Sequence, residues 1–161
     1  ALMEAGKPHG IQPFGLDALL LMRLEKGFLH IGTDTDGSTV PGDVGWGKVA
    51  ANKGIDYVGK RSLWLSEHPR ADRLQLVGLK NQSKIIVDSH LRLAGSNEAT
   101  DGWVTSAGNL VMTGEPIALA MLRGGRERVG QEVHVFDDGA VTRATVVATP
   151  FYDPAGERMN A

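Results

Sequence analysis

The 161-residue sequence contains no cysteine, which excludes disulfide bonds, thiolate catalysis and cysteine-ligated metal sites. Its formal net charge is only −2 at pH 7, so it has no bulk electrostatic attraction to nucleic acid or anionic lipid. It contains no apolar run near the roughly 18 residues that a membrane-spanning helix needs, and no charged-then-apolar pattern in it suggests secretion. These absences predict a soluble cytoplasmic protein without nucleic-acid or membrane partners.

Several familiar site patterns are missing as well. The five histidines never stand three or four residues apart, which is the spacing of zinc ligands on a helix. The run Asp34 to Gly37 resembles part of a calcium loop, but it would place Gly32 at the first ligand position and Asp43 at the twelfth, where an EF-hand needs a carboxylate and a glutamate. The run therefore has the composition of a turn, and no metal site is predicted.

One short motif has the letters of a nucleotide site without its context. Gly45 to Ala50 reads Gly-x-Gly-x-x-Ala, but the residues before it form a turn rather than a strand. A dinucleotide fingerprint requires that strand, so this site is not predicted here. Trp46, between two glycines, is either a hydrophobic plug or a stacking surface for a planar ligand.

The stretch from Arg23 to Gly37 is the most informative part of the sequence. It begins in the last turn of a helix predicted from Gly15 to Lys26, which is apolar nearly all round and is therefore expected to be buried. Arg23 follows its leucines at helical spacing, and an unpaired buried cation is costly. Its partner is either an internal carboxylate, Glu25 or Asp34, or a bound anionic or carbonyl ligand. A contact with the helix C-terminus is a further structural explanation.

The pattern changes near residue 71, and we predict a domain boundary there. Residues 66–72 have no periodicity and carry a proline, so residues 1–71 and 72–161 are expected to form separate units.

A short strand is predicted at Phe28–Ile31 and a short helix at Lys60–Leu65. Beyond the boundary, short strands recur about every ten residues, which is typical of a small closed barrel or sandwich. The predicted strands are Arg73–Leu79, Ile85–Val87, His90–Leu93, Gly102–Ser106, Pro116–Leu122 and a hairpin of Glu132–Phe136 with Val141–Val147.

The opening residues suggest that more chain precedes them. Ala1 to Gly6 reads as the last turns of a helix that ends at glycine, without an initiator methionine or an N-terminal cap. We therefore expect residues 1–161 to be the end of a longer polypeptide.

Several motifs together resemble those of the glycine-cleavage T-protein (aminomethyltransferase) family. The resemblance lies in Arg23-Leu24-Glu25-Lys26-Gly27 with the loop Gly32 to Gly37, in Asp56-Tyr57-Val58-Gly59-Lys60, and in barrel motifs that begin at Gly102, Pro116 and Pro150. Within that family, the loop, the run from Gly59 to Leu63 and the run from Asp72 to Leu79 are most similar to the folate-binding C-terminal part of sarcosine oxidase alpha subunits. The resemblance implies an α+β fold, in which the end of a small α/β folate-binding subdomain is followed by a small antiparallel β-barrel.

The resemblance also implies site residues. Arg23 matches the family's folate-contacting arginine, whereas the catalytic aspartate belongs to the N-terminal half of the fold, so no catalytic residue is expected in this chain. The family's C-terminal folate-contacting tyrosine has no clear match, and Tyr152 and Arg158 are the candidates in that region. Trp46 is a candidate for the pocket wall. The family tyrosine replaced here by Ile31 favours the oxidase branch.

The expected parent is an oxidoreductase of one-carbon metabolism that passes the one-carbon unit of oxidised sarcosine to tetrahydrofolate. FAD or FMN and NAD are expected only in other parts of that enzyme, and the upstream polypeptide and other oxidase subunits are the expected partners. This chain alone is expected to be inactive. The alternatives are a glycine-cleavage-type aminomethyltransferase, or a non-catalytic structural or folate-binding module in which Arg23 forms an internal ion pair.

Overall fold

The computed structural model describes residues 1–65 and 70–158. Short helices and loops come first, and a sheet follows. The α-helices are α1 (Leu2–Gly6), α2 (Leu16–Glu25) and α3 (Gly47–Ala51), and 3₁₀ turns cover Lys7–His9, Arg61–Trp64 and Gly125–Arg128. The strands are β1 (Leu74–Lys80), β2 (His90–Arg92), β3 (Gly102–Asn109), β4 (Pro116–Arg123), β5 (Glu132–Asp137) and β6 (Ala140–Val147).

The six strands close into an antiparallel barrel in the order β1-β4-β3-β2-β5-β6. Aliphatic side chains fill its interior, and among them Leu79, Leu91, Val104, Leu122 and Val146 are completely buried. Closure leaves the sheet without free edges, which removes a site of edge-to-edge aggregation. The predicted α+β architecture with a small antiparallel barrel is confirmed.

Most predicted strands are present within a residue or two. Pro116–Leu122, which periodicity alone left between helix and strand, is β4, and the predicted hairpin is β5 with β6. Ile85–Val87 is wrong as a strand: Ile85 is buried, and the segment turns, with Ser89 N–H donating to the carbonyl of Ile86.

The strand predicted at Phe28–Ile31 is also wrong. Its backbone groups are used locally, since Phe28 N–H donates to Arg23 and the His30 carbonyl accepts from Asp34. Only Ile31 makes a bridge, to Thr35. A turn therefore takes the hydrogen bonds that a sheet partner would have supplied. The short helix predicted near residue 61 forms as a 3₁₀ turn.

The expectation that α2 is a buried helix is wrong. Leu24 and Glu25 are its buried residues, whereas Leu16 is 78% exposed and Leu19 and Met22 are nearly half exposed. The helix packs on the outside of the barrel along one side. There Leu24, with Leu21 beside it, joins a second apolar cluster that includes Ile117 and Leu119 of β4. Its remaining apolar surface faces away from the described part of the chain.

Glycine permits this close packing. A Cβ atom on Gly108 of β3 would lie 3.0 Å from methyl carbons of both Leu21 and Leu24. A larger residue there would push α2 away from the barrel. The domain boundary near residue 71 stays a prediction, and residues 66–69, where part of it was placed, lie outside the described residues.

Candidate functional site

Arg23 leaves the last turn of α2 and reaches the loop and the barrel at once. Its Nη1 donates to Asp34 Oδ2 at 2.7 Å, and its Nη2 donates to the Ser106 hydroxyl at 2.6 Å. A longer contact of 3.5 Å joins Nη1 to the carbonyl of Phe28. Of the two internal carboxylates proposed from the sequence, Asp34 is therefore the partner.

Asp34 is buried completely, and four donors surround its carboxylate. Oδ2 accepts from Arg23 and from the backbone N–H of His30 at 2.8 Å. Oδ1 accepts from the hydroxyls of Ser106, at 3.1 Å, and Thr105. A buried carboxylate is tolerated when it is both paired and hydrogen-bonded, and this one meets both conditions. The acidic loop is therefore fixed to the protein interior through Asp34.

A β-bulge brings the two hydroxyls to the same carboxylate. In β3, Val104 pairs with Ala120 and Ser106 pairs with Leu119, so Thr105 is the extra residue without a pairing partner. Successive side chains of a regular strand point to opposite faces, and a bulge breaks that alternation. Thr105 and Ser106 can therefore both face the Asp34 loop.

The residues after Arg23 anchor the end of α2. Glu25 is buried, its carboxylate accepts from Val111 N–H at 2.8 Å, and its carbonyl accepts from Phe151 N–H at 2.9 Å. Lys26 Nζ donates to the Asp153 carbonyl at 2.7 Å. Gly27 has a positive φ of 62°, and a Cβ atom there would lie 2.9 Å from that of Thr149. Arg23, Glu25, Lys26 and Gly27 therefore each contact the barrel segment or the residues that follow it. Together they fix the end of α2 there.

A second arginine–aspartate pair holds the other end of the loop. Arg73, just before β1, donates from Nε and Nη2 to the two carboxylate oxygens of Asp43 at 2.8 and 2.7 Å. Asp43 is buried and also accepts from Val40 N–H. The segment between Asp34 and Asp43 is therefore held to the rest of the protein at both ends by side-chain ion pairs.

Two clefts flank the Arg23–Asp34 pair. A cleft of about 390 Å³, which we call the Arg23 cleft, is lined by Arg23, Ser106 and Thr105, by His30 and Asp17, and by apolar residues that include Leu20 and Val87. A more polar cleft of about 480 Å³ lies on the Asp34 side, with Asp36, Arg73 and Trp103 in its lining. Arg23, the predicted ligand contact, therefore lines a cleft that has an apolar side.

Only part of the Arg23 guanidinium is available to that cleft. A guanidinium has five N–H donors, and within the described residues three of them point to Asp34, Ser106 and Phe28. The Nε atom is buried and has no hydrogen-bond partner there. One Nη2 hydrogen therefore remains for a bound group.

The other predicted site residues lie elsewhere. The lining described for the Arg23 cleft does not include Trp46, Tyr152 or Arg158. Trp46 is 59% exposed and precedes α3. Tyr152 is near the end of α2, because its N–H donates to the Glu25 carbonyl, and the Arg158 guanidinium lies 5.8 Å from its ring centre. The structure thus places Tyr152 beside Arg158 and at the end of α2, and Trp46 at an exposed position before α3.

Sequence reasoning missed Thr105 and Ser106 as members of the site. After Gly102 and Trp103 they belong to a motif that predicts a barrel strand, and no residue type in that motif indicates that a bulge turns both hydroxyls toward Asp34.

Within residues 1–65 and 70–158, no three metal-ligating side chains converge on a point that would hold a metal ion. Within the same residues, no helix has the length and apolar character needed to cross a membrane.

Family models match both parts of the chain. The model of the GCVT N-terminal domain matches residues 1–53. That of the glycine cleavage T-protein C-terminal barrel domain matches residues 75–153, which include all of the observed barrel except its first residue, Leu74. The chain belongs to the glycine-cleavage T-protein family. The resemblance drawn from the sequence motifs is confirmed.

Individual relatives agree with this family. The chain is 39% identical over 168 residues to the sarcosine oxidase subunit alpha of Rhizobium meliloti, a match that covers 99% of this chain and 17% of that protein. It is 31% identical over 153 residues to the aminomethyltransferase of Saccharopolyspora erythraea, covering 94% of this chain and 41% of the relative. Both relatives are enzymes, and the chain spans less than half the length of each.

A solved structure shares the fold. The crystal structure of glycine cleavage system aminomethyltransferase T from Bartonella henselae matches with a TM-score of 0.73 and 27% sequence identity. The match covers 87% of this chain and 39% of that chain.

Proposed function

We propose that this chain is the C-terminal part of the folate-binding region in a sarcosine-oxidase-alpha-like enzyme. In that enzyme, the one-carbon unit of an oxidised N-methyl amine such as sarcosine is passed to tetrahydrofolate. The similarity to sarcosine oxidase subunit alpha over nearly the whole chain supports the assignment. The observation that carries it in the structure is Arg23, a cation held at the edge of a mainly apolar cleft.

The residues of the cleft fit such a ligand. Tetrahydrofolate combines flat rings with carbonyl and carboxylate groups, and such ligands bind in apolar clefts with a few placed polar groups. Leu20 and Val87 supply apolar surface, and Arg23 supplies the remaining Nη2 hydrogen for a carbonyl or carboxylate oxygen. That contact is charge-assisted, and such bonds are stronger than those between neutral groups.

Arg23 contributes binding and orientation rather than bond chemistry. Tetrahydrofolate, when bound, is the acceptor of the one-carbon unit. Holding an acceptor in a fixed orientation converts an encounter into an effectively intramolecular step. No residue of this chain is proposed as catalytic, since the family's catalytic aspartate is expected in the upstream polypeptide. Trp46, Tyr152 and Arg158 remain further candidates for folate contact.

The remaining parts of the enzyme follow from the same proposal. Flavin and NAD belong to other regions of the parent, and the upstream polypeptide and other oxidase subunits are the partners, in the cytoplasm. Because half of the folate pocket is then outside these 161 residues, the isolated chain should bind tetrahydrofolate weakly and show no turnover.

Two alternatives have support of their own. A glycine-cleavage-type aminomethyltransferase is supported by the similarity to the Saccharopolyspora erythraea protein. A non-catalytic module is supported by the Arg23–Asp34 pair, because a guanidinium with Asp34 and Ser106 as partners is stable without a ligand. The donors of the one-carbon unit differ between the first alternative and the oxidase.

The fate of a labelled methyl group tests the proposal. The longest polypeptide that contains this chain, purified with its partner subunits, is given sarcosine carrying a ¹³C-methyl group, with and without tetrahydrofolate. We expect oxygen-dependent sarcosine oxidation, with the label on tetrahydrofolate when folate is present and in free formaldehyde when it is absent. Formaldehyde in both samples would contradict folate-dependent transfer. Transfer from an aminomethyl donor, without sarcosine oxidation, would favour the aminomethyltransferase.

A further inference from the structure

Ser106 stands between the Arg23 cation and the buried Asp34 carboxylate. Its hydroxyl accepts from Arg23 Nη2 at 2.6 Å and donates to Asp34 Oδ1 at 3.1 Å. The same guanidinium binds the same carboxylate directly through Nη1. Arg23, Ser106 and Asp34 therefore form a closed ring of three contacts, and a planar guanidinium held at both of its terminal nitrogens cannot rotate freely.

Ser106 also determines which part of the guanidinium meets the cleft. Nη2 is the nitrogen with a hydrogen left for a ligand, and Ser106 is its partner within the described residues. Both residues line the Arg23 cleft. Fixing one hydrogen of Nη2 on Ser106 fixes the direction of the other, because the guanidinium is planar.

The strand geometry supports a specific use of this position. The bulge leaves Thr105 out of the regular pairing between β3 and β4. It brings two hydroxyls to one carboxylate, whereas a regular strand would bring one. Bulges occur preferentially beside functional sites, where they redirect a side chain. Here the redirected side chains are those that hold Asp34 and, through Ser106, Arg23.

We propose that Ser106 is a positioning residue, which orients the Arg23 guanidinium so that its free Nη2 hydrogen faces a carbonyl or carboxylate oxygen bound in the Arg23 cleft. The proposal rests on the proposed folate function for the identity of that ligand. Its geometric part, the immobilisation of Arg23 by Ser106, does not depend on folate.

Thr105 offers a matched control. Thr105 and Ser106 each donate a hydroxyl to Asp34 Oδ1, so Thr105→Val and Ser106→Ala each remove one hydrogen bond from that carboxylate. Only Ser106→Ala also removes a partner of Arg23. A purely structural role predicts similar effects for both variants, whereas a positioning role predicts different ones.

The first measurement uses the 161-residue chain without any ligand. ¹⁵N NMR reports rotation of the Arg23 guanidinium about its Cζ–N bonds, and thermal unfolding checks that each variant is folded. We expect Ser106→Ala to accelerate this rotation at least several-fold, and Thr105→Val to leave it near the wild-type rate. Equal rates in the two variants would overturn the immobilisation of Arg23 by Ser106.

The second measurement is tetrahydrofolate titration of the longest polypeptide that contains this chain. We expect Ser106→Ala to weaken binding about 10-fold, the scale of one hydrogen bond, and Thr105→Val to weaken it less than about 2-fold. Arg23→Ala is titrated in parallel. If Arg23→Ala leaves affinity unchanged, the folate role of Arg23 fails. If Arg23→Ala weakens binding while the two hydroxyl variants behave alike, the positioning role of Ser106 fails.

Discussion

Arg23 Nη1 and Asp34 Oδ2 are 2.7 Å apart, and this buried ion pair joins the end of α2 to the acidic loop that follows it. The Asp34 side chain has no exposed surface, and that of Arg23 is 14% exposed. The pair therefore has two consequences. It stabilises the loop, and it fixes a cation at the edge of a cleft.

Removing the carboxylate charge should be costly. Asp34→Asn leaves the Arg23 cation without its counter-ion and places an amide N–H₂ group among donors. Removing one partner of a buried ion pair is strongly destabilising, so we expect the free energy of unfolding to fall by about 3 kcal/mol or more. Urea denaturation of the 161-residue chain measures this change. Asp138→Asn, an exposed change in the turn between β5 and β6, is the control and should stay within about 0.5 kcal/mol. Equal losses for the two variants would contradict the anchoring role of Asp34.

The side of α2 that faces the barrel can be tested with two leucines of the same helix. Leu24 is buried against β4 residues, so Leu24→Ala should cost about 3 kcal/mol through lost burial and a cavity. Leu16 is mostly exposed, so Leu16→Ala should cost less than about 0.5 kcal/mol. Chemical denaturation at low protein concentration measures both. A large loss for Leu16→Ala would show that this face of the helix is covered.

Asp36, in the turn that follows Asp34, has a lowered pKa, so its contribution to stability depends on pH. Hydrogen bonds from the hydroxyl and the backbone N–H of Ser38, and from Thr39, lower the pKa of Asp36 below its ordinary value. A carboxyl group whose pKa is lower in the folded state stabilises the protein above the unfolded pKa, and this contribution is lost as the pH falls through the folded pKa.

Ser38→Ala removes the largest of these causes. We expect the pKa of Asp36 to rise toward its ordinary value, followed by the NMR shift of its carboxyl carbon during an acid titration. The other carboxyl carbons should keep their wild-type titration curves. The stability difference between the two proteins should be present at neutral pH and should shrink as the pH falls below 3.8, the ordinary value for aspartate. An Asp36 curve that does not move would contradict the role of the Ser38 hydroxyl.

The barrel was largely predictable from the sequence because its signals are local. Asp137 to Gly139 carries the turn chemistry of a hairpin, and alternating residues on both sides give the strands. The apolar run of β4 needed only the spacing of its neighbours to be assigned as a strand. Such features depend on residues close in sequence.

The site was less predictable because its contacts are distant in sequence. Asp34 was one of two internal carboxylates that the pattern allowed for Arg23, and nothing local chooses between them. Ser106 lies 83 residues from Arg23, and its role depends on a bulge that no residue type marks. The exposure of Leu16 was missed because composition shows that a helix is apolar but does not show what covers it.

Arg23 is proposed to bind folate in addition to holding Asp34. Arg73 offers a close control, because it also pairs with a buried aspartate of the same loop, Asp43, and it is not among the residues described as lining the Arg23 cleft. Arg23→Ala and Arg73→Ala should both lower stability. Only the first should weaken binding of a ligand in that cleft.

The most direct measurement is calorimetric titration of tetrahydrofolate into both variants of the longest polypeptide that contains this chain. We predict that Arg23→Ala weakens binding by about 1.5–3 kcal/mol, the scale of a charge-assisted hydrogen bond. Arg73→Ala should leave the affinity within about 2-fold of wild type, well under the 1.4 kcal/mol that corresponds to a tenfold change. Unchanged affinity in Arg23→Ala, together with lower stability, would contradict the claim and leave Arg23 as a structural ion pair.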